Sequence, residues 1–192
     1  MKVFFQASHI ERKKYEPFYK KIYEEIIALG YSHVSDEIVN VTTSEFYKNV
    51  QKGGKEASEK LYQENERKIQ EADIVVFETS VPSAGIGFLI QRSLDHSKPT
   101  ILLYHEGSPT YLFLGAKEDK LIVNPYNEKT LTTVLKDALN QAKEKRDKRF
   151  NFFISPRLLT YLDEQSRRLS ITKSKFIRDL IIDYMQKQKD SR

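Results

Sequence analysis

No cysteine occurs among the 192 residues, which excludes a disulfide framework and a thiolate metal site and leaves the redox compartment untested. The four histidines, His9, His33, His96 and His105, show no ligand spacing, so no metal and no other cofactor is expected. No apolar run approaches the roughly 20 residues that a membrane-spanning helix needs. The opening MKVFFQASHI turns polar too soon for a signal peptide, so the expectation is a cytoplasmic protein without membrane contact. What is present is apolar material for a core, 39% of the residues, in a chain long enough for one large domain or a medium domain with a small appendage.

The net charge of +5 is unevenly spread. Residues 1–135 carry 17 Lys/Arg against 19 Asp/Glu, a balance of −2, while residues 136–192 carry 15 against 8, a balance of +7. A near-neutral body with a basic tail is the asymmetry expected when one part of a chain meets a polyanion and the other does something else.

Short apolar runs alternate with longer amphipathic segments over residues 1–135, which predicts an α/β, Rossmann-like domain with a mostly parallel sheet and flanking helices. Strands are expected at Lys2–Gln6, near His33–Val39, at Asp73–Phe77, at Thr100–Tyr104 and at Leu121–Val123. Phe18, Ile22, Ile26 and Leu29 recur at helical spacing before Gly30. After a polar stretch containing Gly53 and Gly54, residues 58–72 read as a helix. The segment SVPSAGIG (80–87) reads as a loop running into a helix. Residues 136–148 are charged and poorly apolar, the pattern of a helical linker.

The composition changes at Arg149. RFNFFIS (149–155) has strand alternation, Ser155 and Pro156 suit the start of a helix, and Ser170 to Thr172 separates two amphipathic helices. One strand and two helices cannot bury this much apolar surface, and a lone strand leaves its backbone groups unpaired. The economical solution is a two-fold dimer with paired strands.

Strand, helix, turn and a second helix opening TKSKFIR (172–178) together resemble the ribbon-helix-helix family of transcription factors and antitoxins. The resemblance implies that residues 149–192 form an intertwined homodimer, with tetramers on DNA left open, whose paired strands read double-stranded DNA. By position, Phe150, Phe152 and Ile154 face the core and Arg149, Asn151 and Phe153 face out. Arg suits guanine and Asn suits adenine, while Phe153 stands where the family usually has a polar residue. Thr172, Lys173 and Ser174 would clamp phosphate, with Lys148, Lys175 and Arg178 as auxiliary contacts.

KVFFQASHI (2–10) and EADIVVFETSVPSAGIGF (71–88) resemble the nucleoside 2-deoxyribosyltransferase-like superfamily, especially the nucleotide N-glycosidases. The resemblance implies a nucleotide or nucleoside-like ligand, with Ala7, Ser8, His9 and Ile10 in one pocket loop and Ser83, Gly85 and Gly87 in a second, at the start of a phosphate-binding helix. Glu78, at the end of the central strand, is the remaining carboxylate candidate for ligand contact. In that family a glutamate nucleophile follows the second loop, and here its position holds Leu89. The usual acidic partner falls at Asn65. A two-carboxylate mechanism lacks both carboxylates, so the expectation is a non-enzyme, a DNA-binding transcriptional regulator with an inactive nucleotide-binding sensor domain. The alternatives are a degenerate glycosidase recruiting Glu78 or another carboxylate, and an antitoxin-like module that binds a protein partner.

Overall fold

The structure, a computed structural model, describes residues 1–146 and 152–190. The chain divides into two compact units, residues 1–147 and 148–192.

In the first unit five strands, β1 (Lys2–Ala7), β2 (Ser32–His33), β3 (Ile74–Glu78), β4 (Thr100–His105) and β5 (Leu121–Tyr126), form one sheet in the order β2-β1-β3-β4-β5. All neighbours are parallel. The expected α/β sheet is therefore present. β3 is buried along its whole length because both sheet faces are covered, which is why it is written as a run of apolar residues rather than an alternation. The strand expected near His33–Val39 is only two residues long, and the chain turns instead into a short helix, α2 (Glu37–Asn40).

Each sheet face has its own helices. Val3, Phe5, Ile74, Val76, Ile101 and Leu103 pack against α1 (Arg12–Ala28) and α6 (Leu131–Glu144). Phe4, Val75, Phe77 and Leu102 pack against α3 (Thr43–Glu71) and α4 (Ala84–Asp95). The remaining helix of this unit, α5 (Tyr111–Leu114), is a single turn after β4. The reading of residues 136–148 as a linker is corrected in part: residues 136–144 belong to α6, whose Leu139 and Ala142 are buried against the sheet. Their spacing from Leu131, Leu135 and Ala138 is that of a helix face.

The helix expected over 58–72 begins at Thr43. Thr42 caps it, with Glu45 closing a reciprocal capping box. Gly54, at φ 54° and ψ −133°, bends it into two arms, a backbone conformation that a side chain would strain. The second arm is pinned to α4 by Glu66, whose carboxylate accepts from Arg92 Nε at 2.7 Å and Nη2 at 2.9 Å, with His96 Nε2 also at 2.9 Å. The hydrogen bonds from Arg92 hold the Glu66 carboxyl down at about 2, against the opposing effect of burial. A depressed carboxyl stabilises the fold above its ordinary value of 4.5 and loses that contribution as the pH falls toward the lowered value. Glu66→Gln is expected to cost about 1–3 kcal/mol at pH 7, and the difference from wild type should shrink in chemical unfolding at pH 3.

In the second unit α7 (Pro156–Leu169) starts with proline in its first turn and ends at Ser170, which takes a left-handed conformation at φ 54°. α8 (Lys173–Asp190) follows. Leu162 of α7 is buried, but Leu158, Leu159, Leu169, Leu180, Ile181 and Tyr184 are exposed in the single chain. Of the expected strand, residues 149–151 lie outside the described residues, and residues 152–155 take no regular structure. A strand that pairs only with a second copy has no ladder within one chain.

Candidate functional site

In an open α/β sheet of this order the crevice lies beyond the carboxyl ends of β1 and β3, where the connections leave to opposite faces. A cavity of about 380 Å³ opens on the α3/α4 side of that crevice. The end of β1 and the loop after it supply Ala7, Ser8 and His9, and the start of α4 supplies Ser83 and Gly85. The two segments singled out from the sequence thus meet at one site. Ser83 caps α4, its hydroxyl accepting from the Ile86 N–H.

The remaining walls were not anticipated. Phe46 and Tyr47 come from the first arm of α3, Leu61, Tyr62 and Asn65 from the second, and Phe88 and Leu89 from α4. The kink at Gly54 lets both arms face one cavity. Gln6, whose side-chain amide oxygen Oε1 accepts from the Ala7 N–H at 3.0 Å, adds a polar group at the end of β1. The site is therefore aromatic on several sides and polar at the strand ends. No Lys, Arg, Asp or Glu is among its lining residues.

His9 is 8% exposed. Its ring stacks on Phe46 at 4.1 Å between centroids and meets the Tyr47 ring edge-on at 6.5 Å. Burial, and then the nearby Arg12 guanidinium, push its imidazole below the ordinary value of 6.5, with Glu37 opposing. Asn65 donates through Nδ2 to the Leu61 carbonyl at 2.8 Å, which orients its Oδ1 as an acceptor. Both His9 ring nitrogens and Asn65 Oδ1 are buried without a hydrogen-bond partner.

The other expected contacts are placed differently. Ile10 is exposed and outside the cavity wall. Gly87 lines a neighbouring depression of about 620 Å³ that runs along the other side of Ser83 and Ile86 toward Tyr111. Glu78, expected to be available to a ligand, is fully buried on the opposite sheet face: it shares a face with Ile74 and Val76, and its Oε1 accepts from the Ser80 hydroxyl and, at 2.9 Å, from Tyr126. Burial raises its carboxyl well above the ordinary range despite these bonds. Ser80 Oγ in turn accepts from the His105 N–H at 2.7 Å, tying β3 to β4. As a ligand contact Glu78 is thus corrected to a group of the core.

In the second unit Thr172 caps α8, its hydroxyl accepting from the Lys175 N–H at 3.1 Å, and Lys173 pairs with Asp163 at 2.7 Å. Ser174 and Phe153 are exposed in the single chain, and so is Phe152, which was expected to face the core. Arg149 and Asn151 lie outside the described residues. Among the described residues no group of three His, Asp or Glu side chains is placed to hold a metal ion, and no helix is long and apolar enough to cross a membrane.

The first unit is an α/β domain with a cavity at the switch point of its parallel sheet, a fold it shares with a solved N-glycosidase. No family profile matches the chain. A protein of Syntrophotalea carbinolica named "Putative 2'-deoxynucleoside 5'-phosphate N-hydrolase 1" is 29% identical over 143 residues, which covers 72% of this chain and 94% of that protein. The solved CMP N-glycosidase of Clostridium botulinum superposes with a TM-score of 0.50 at 18% identity, covering 72% of this chain and 99% of that one. Both are named as enzymes. The expectation of a non-enzyme, drawn from Leu89 and Asn65, is therefore corrected.

Proposed function

We propose that the first unit hydrolyses the N-glycosidic bond of a nucleoside or nucleotide held in the cavity between β1 and α4. The observation that carries this reading is the composition of the cavity at the switch point of the sheet. Aromatic faces from Phe46, Tyr47, Tyr62 and Phe88 suit a flat base, since every base offers a face for stacking. Gln6, Ser8, Asn65 and Ser83 suit a sugar. The N-terminus of the twelve-residue α4 is an electropositive end to which a 5'-phosphate can be hydrogen-bonded by backbone N–H groups. The names of the two similar proteins agree with this chemistry.

Cleavage of such a bond builds positive charge on the sugar as the base departs. The positions that resemble the family's two carboxylates hold Asn65 and Leu89, and both line the cavity. Hydrolysis in this chain accordingly uses water directly, activated by a group that is not a carboxylate. The full chain, incubated with the four 2'-deoxynucleoside 5'-monophosphates, CMP and the matching nucleosides, is expected to release free base that chromatography detects. No release from any of them overturns the proposal.

A second reading concerns residues 148–192. A helix pair that leaves Leu158, Leu159, Leu180 and Ile181 exposed in the single chain has an apolar face wanting a partner. We propose that a second copy covers it in a ribbon-helix-helix homodimer, and that the dimer binds double-stranded DNA through Arg149, Asn151 and the start of α8. Residues 148–192 carry 11 Lys/Arg against 5 Asp/Glu, a balance of +6, which supports a polyanionic partner.

A further inference from the structure

A hydrolase without the two carboxylates needs another group to take the proton of its nucleophilic water, and the cavity contains one buried side chain suited to it. His9 is held from three directions. Its ring lies flat on Phe46, its carbonyl accepts from the Thr43 hydroxyl at 3.4 Å, and the preceding Ser8 is fixed by its own hydroxyl, which accepts from the Ile10 N–H at 3.0 Å, and by Tyr19, which donates to its carbonyl at 3.4 Å. A neutral imidazole has one donor and one acceptor nitrogen. Buried polar atoms are ordinarily paired, yet neither His9 nitrogen has a partner, and nor does Asn65 Oδ1 in the same cavity wall. His33 Nδ1, Glu78 Oε2 and Ser166 Oγ are also buried and unpaired, but of these groups His9 and Asn65 alone line the cavity, where a bound molecule can supply the missing partners.

We propose that His9 is the proton-transfer residue of this cavity, activating the water that attacks the anomeric carbon and returning a proton to the departing base. This rests on the hydrolytic reading above. As the C1'–N bond breaks, its electron pair leaves with the base nitrogen. The water oxygen bonds to C1', and the proton it sheds passes to the free nitrogen of His9. The imidazolium then gives a proton to the base nitrogen, so that water and nucleoside become free base and sugar with no other reactant consumed. Asn65 Oδ1 is an acceptor that can orient the water or a sugar hydroxyl.

The surroundings keep the imidazole in the form this needs. Arg12 from α1 lies close to it, tied to Glu16 at 3.5 Å and to the carbonyls of Val39 and Val41. Glu37 from α2 acts in the opposite sense and is itself paired with Lys68 from α3. Burial and Arg12 prevail, so the ring is an uncharged acceptor at neutral pH.

The test uses the full chain with the four 2'-deoxynucleoside 5'-monophosphates and CMP. His9→Gln keeps a planar polar side chain against Phe46 but cannot relay a proton. It is expected to lower kcat by about 100-fold or more while KM and the unfolding midpoint stay near wild type. The wild-type rate should fall on the acid side with an apparent pKa below 6.5, and this limb should be absent from the residual activity of the variant. Added imidazole should restore part of the rate of His9→Ala. If wild type releases base and His9→Gln does so at a comparable kcat with the same acid limb, His9 has no such role and the hydrolytic reading stands without it. If wild type releases no base from any of these nucleotides, both fall together.

Discussion

Replacing Glu78 by leucine is expected to lower the unfolding free energy by about 2–6 kcal/mol at neutral pH, because two buried hydroxyls, those of Ser80 and Tyr126, lose their acceptor at about 1–3 kcal/mol each. Glu78→Gln should behave oppositely. The amide oxygen can accept both bonds, and no charge has to be held in the core. Burial raises the folded-state carboxyl above its ordinary value of 4.5, so the folded protein binds more protons than the unfolded chain once the pH exceeds that value. Stability is therefore largest at or below 4.5 and declines as the pH rises toward and through the raised value. Glutamine removes that decline. Chemical unfolding from pH 4.5 to 8 should show wild type losing stability relative to Glu78→Gln, with the two converging at the acid end. Because the carboxyl faces α1 and α6 rather than the cavity, base release by Glu78→Gln is expected to stay within about threefold of wild type, a change of less than 1 kcal/mol in barrier. A variant that unfolds normally but releases no base would return Glu78 to the reaction.

On the proposed ribbon-helix-helix dimer, Leu180→Glu is expected to convert dimer to monomer and to weaken the proposed DNA binding by at least about 1,000-fold. Leu180 is half-exposed in the single chain, on the same pair of helices as Leu158 and Leu159. In the proposed dimer it is covered by apolar side chains of the second copy, where an unpaired carboxylate costs several kcal/mol, and about 4 kcal/mol corresponds to three decades in dissociation constant. In the proposed arrangement the strands that read DNA pair only in the dimer, so both properties should fall together. Sedimentation equilibrium and fragment binding at low salt check this. The wild type should lose affinity steeply with added salt, as a protein neutralising several phosphates does. A Leu180→Glu protein that remains dimeric and binds DNA as before would show that this face of α8 is not the one a second copy covers.

Much of the first unit was legible because its sheet is buried on both sides. DIVVF at residues 73–77 and TILLY at 100–104 are apolar runs that only central parallel strands require, and Gly30 at φ 83° closes α1 as its position suggested. The loops at Ala7–His9 and Ser83–Gly85 were joined into one site by the family resemblance, and the structure places both after strands that flank the switch point. Three features escaped. The lysines and glutamates of residues 136–146 hid a face of Leu131, Leu135, Leu139 and Ala142 at helical spacing, so the outermost helix of the core read as a linker. Gly53 and Gly54 read as a break, which the kink at Gly54 matches, but the helical arm from Thr43 before it, which brings Phe46 and Tyr47 onto the cavity, was missed. Glu78 was assigned by its place at the strand end. Its parity with Ile74 and Val76, which already directed it to the α1/α6 face, was the better guide. At the candidate site the resemblance pointed to Leu89 and Asn65 as losses, but nothing in the sequence pairs His9 with Phe46, because that contact spans two elements.

The reaction proposed for the first unit is cleavage of an N-glycosidic bond by water. Its most direct test is the product balance of the full chain with CMP and the four 2'-deoxynucleoside 5'-monophosphates in ¹⁸O-labelled water, read by chromatography and mass spectrometry. Hydrolysis predicts free base and sugar 5-phosphate in equal amounts, with label on the anomeric oxygen of the sugar formed. Base at the level of a protein-free control for every nucleotide would contradict the account.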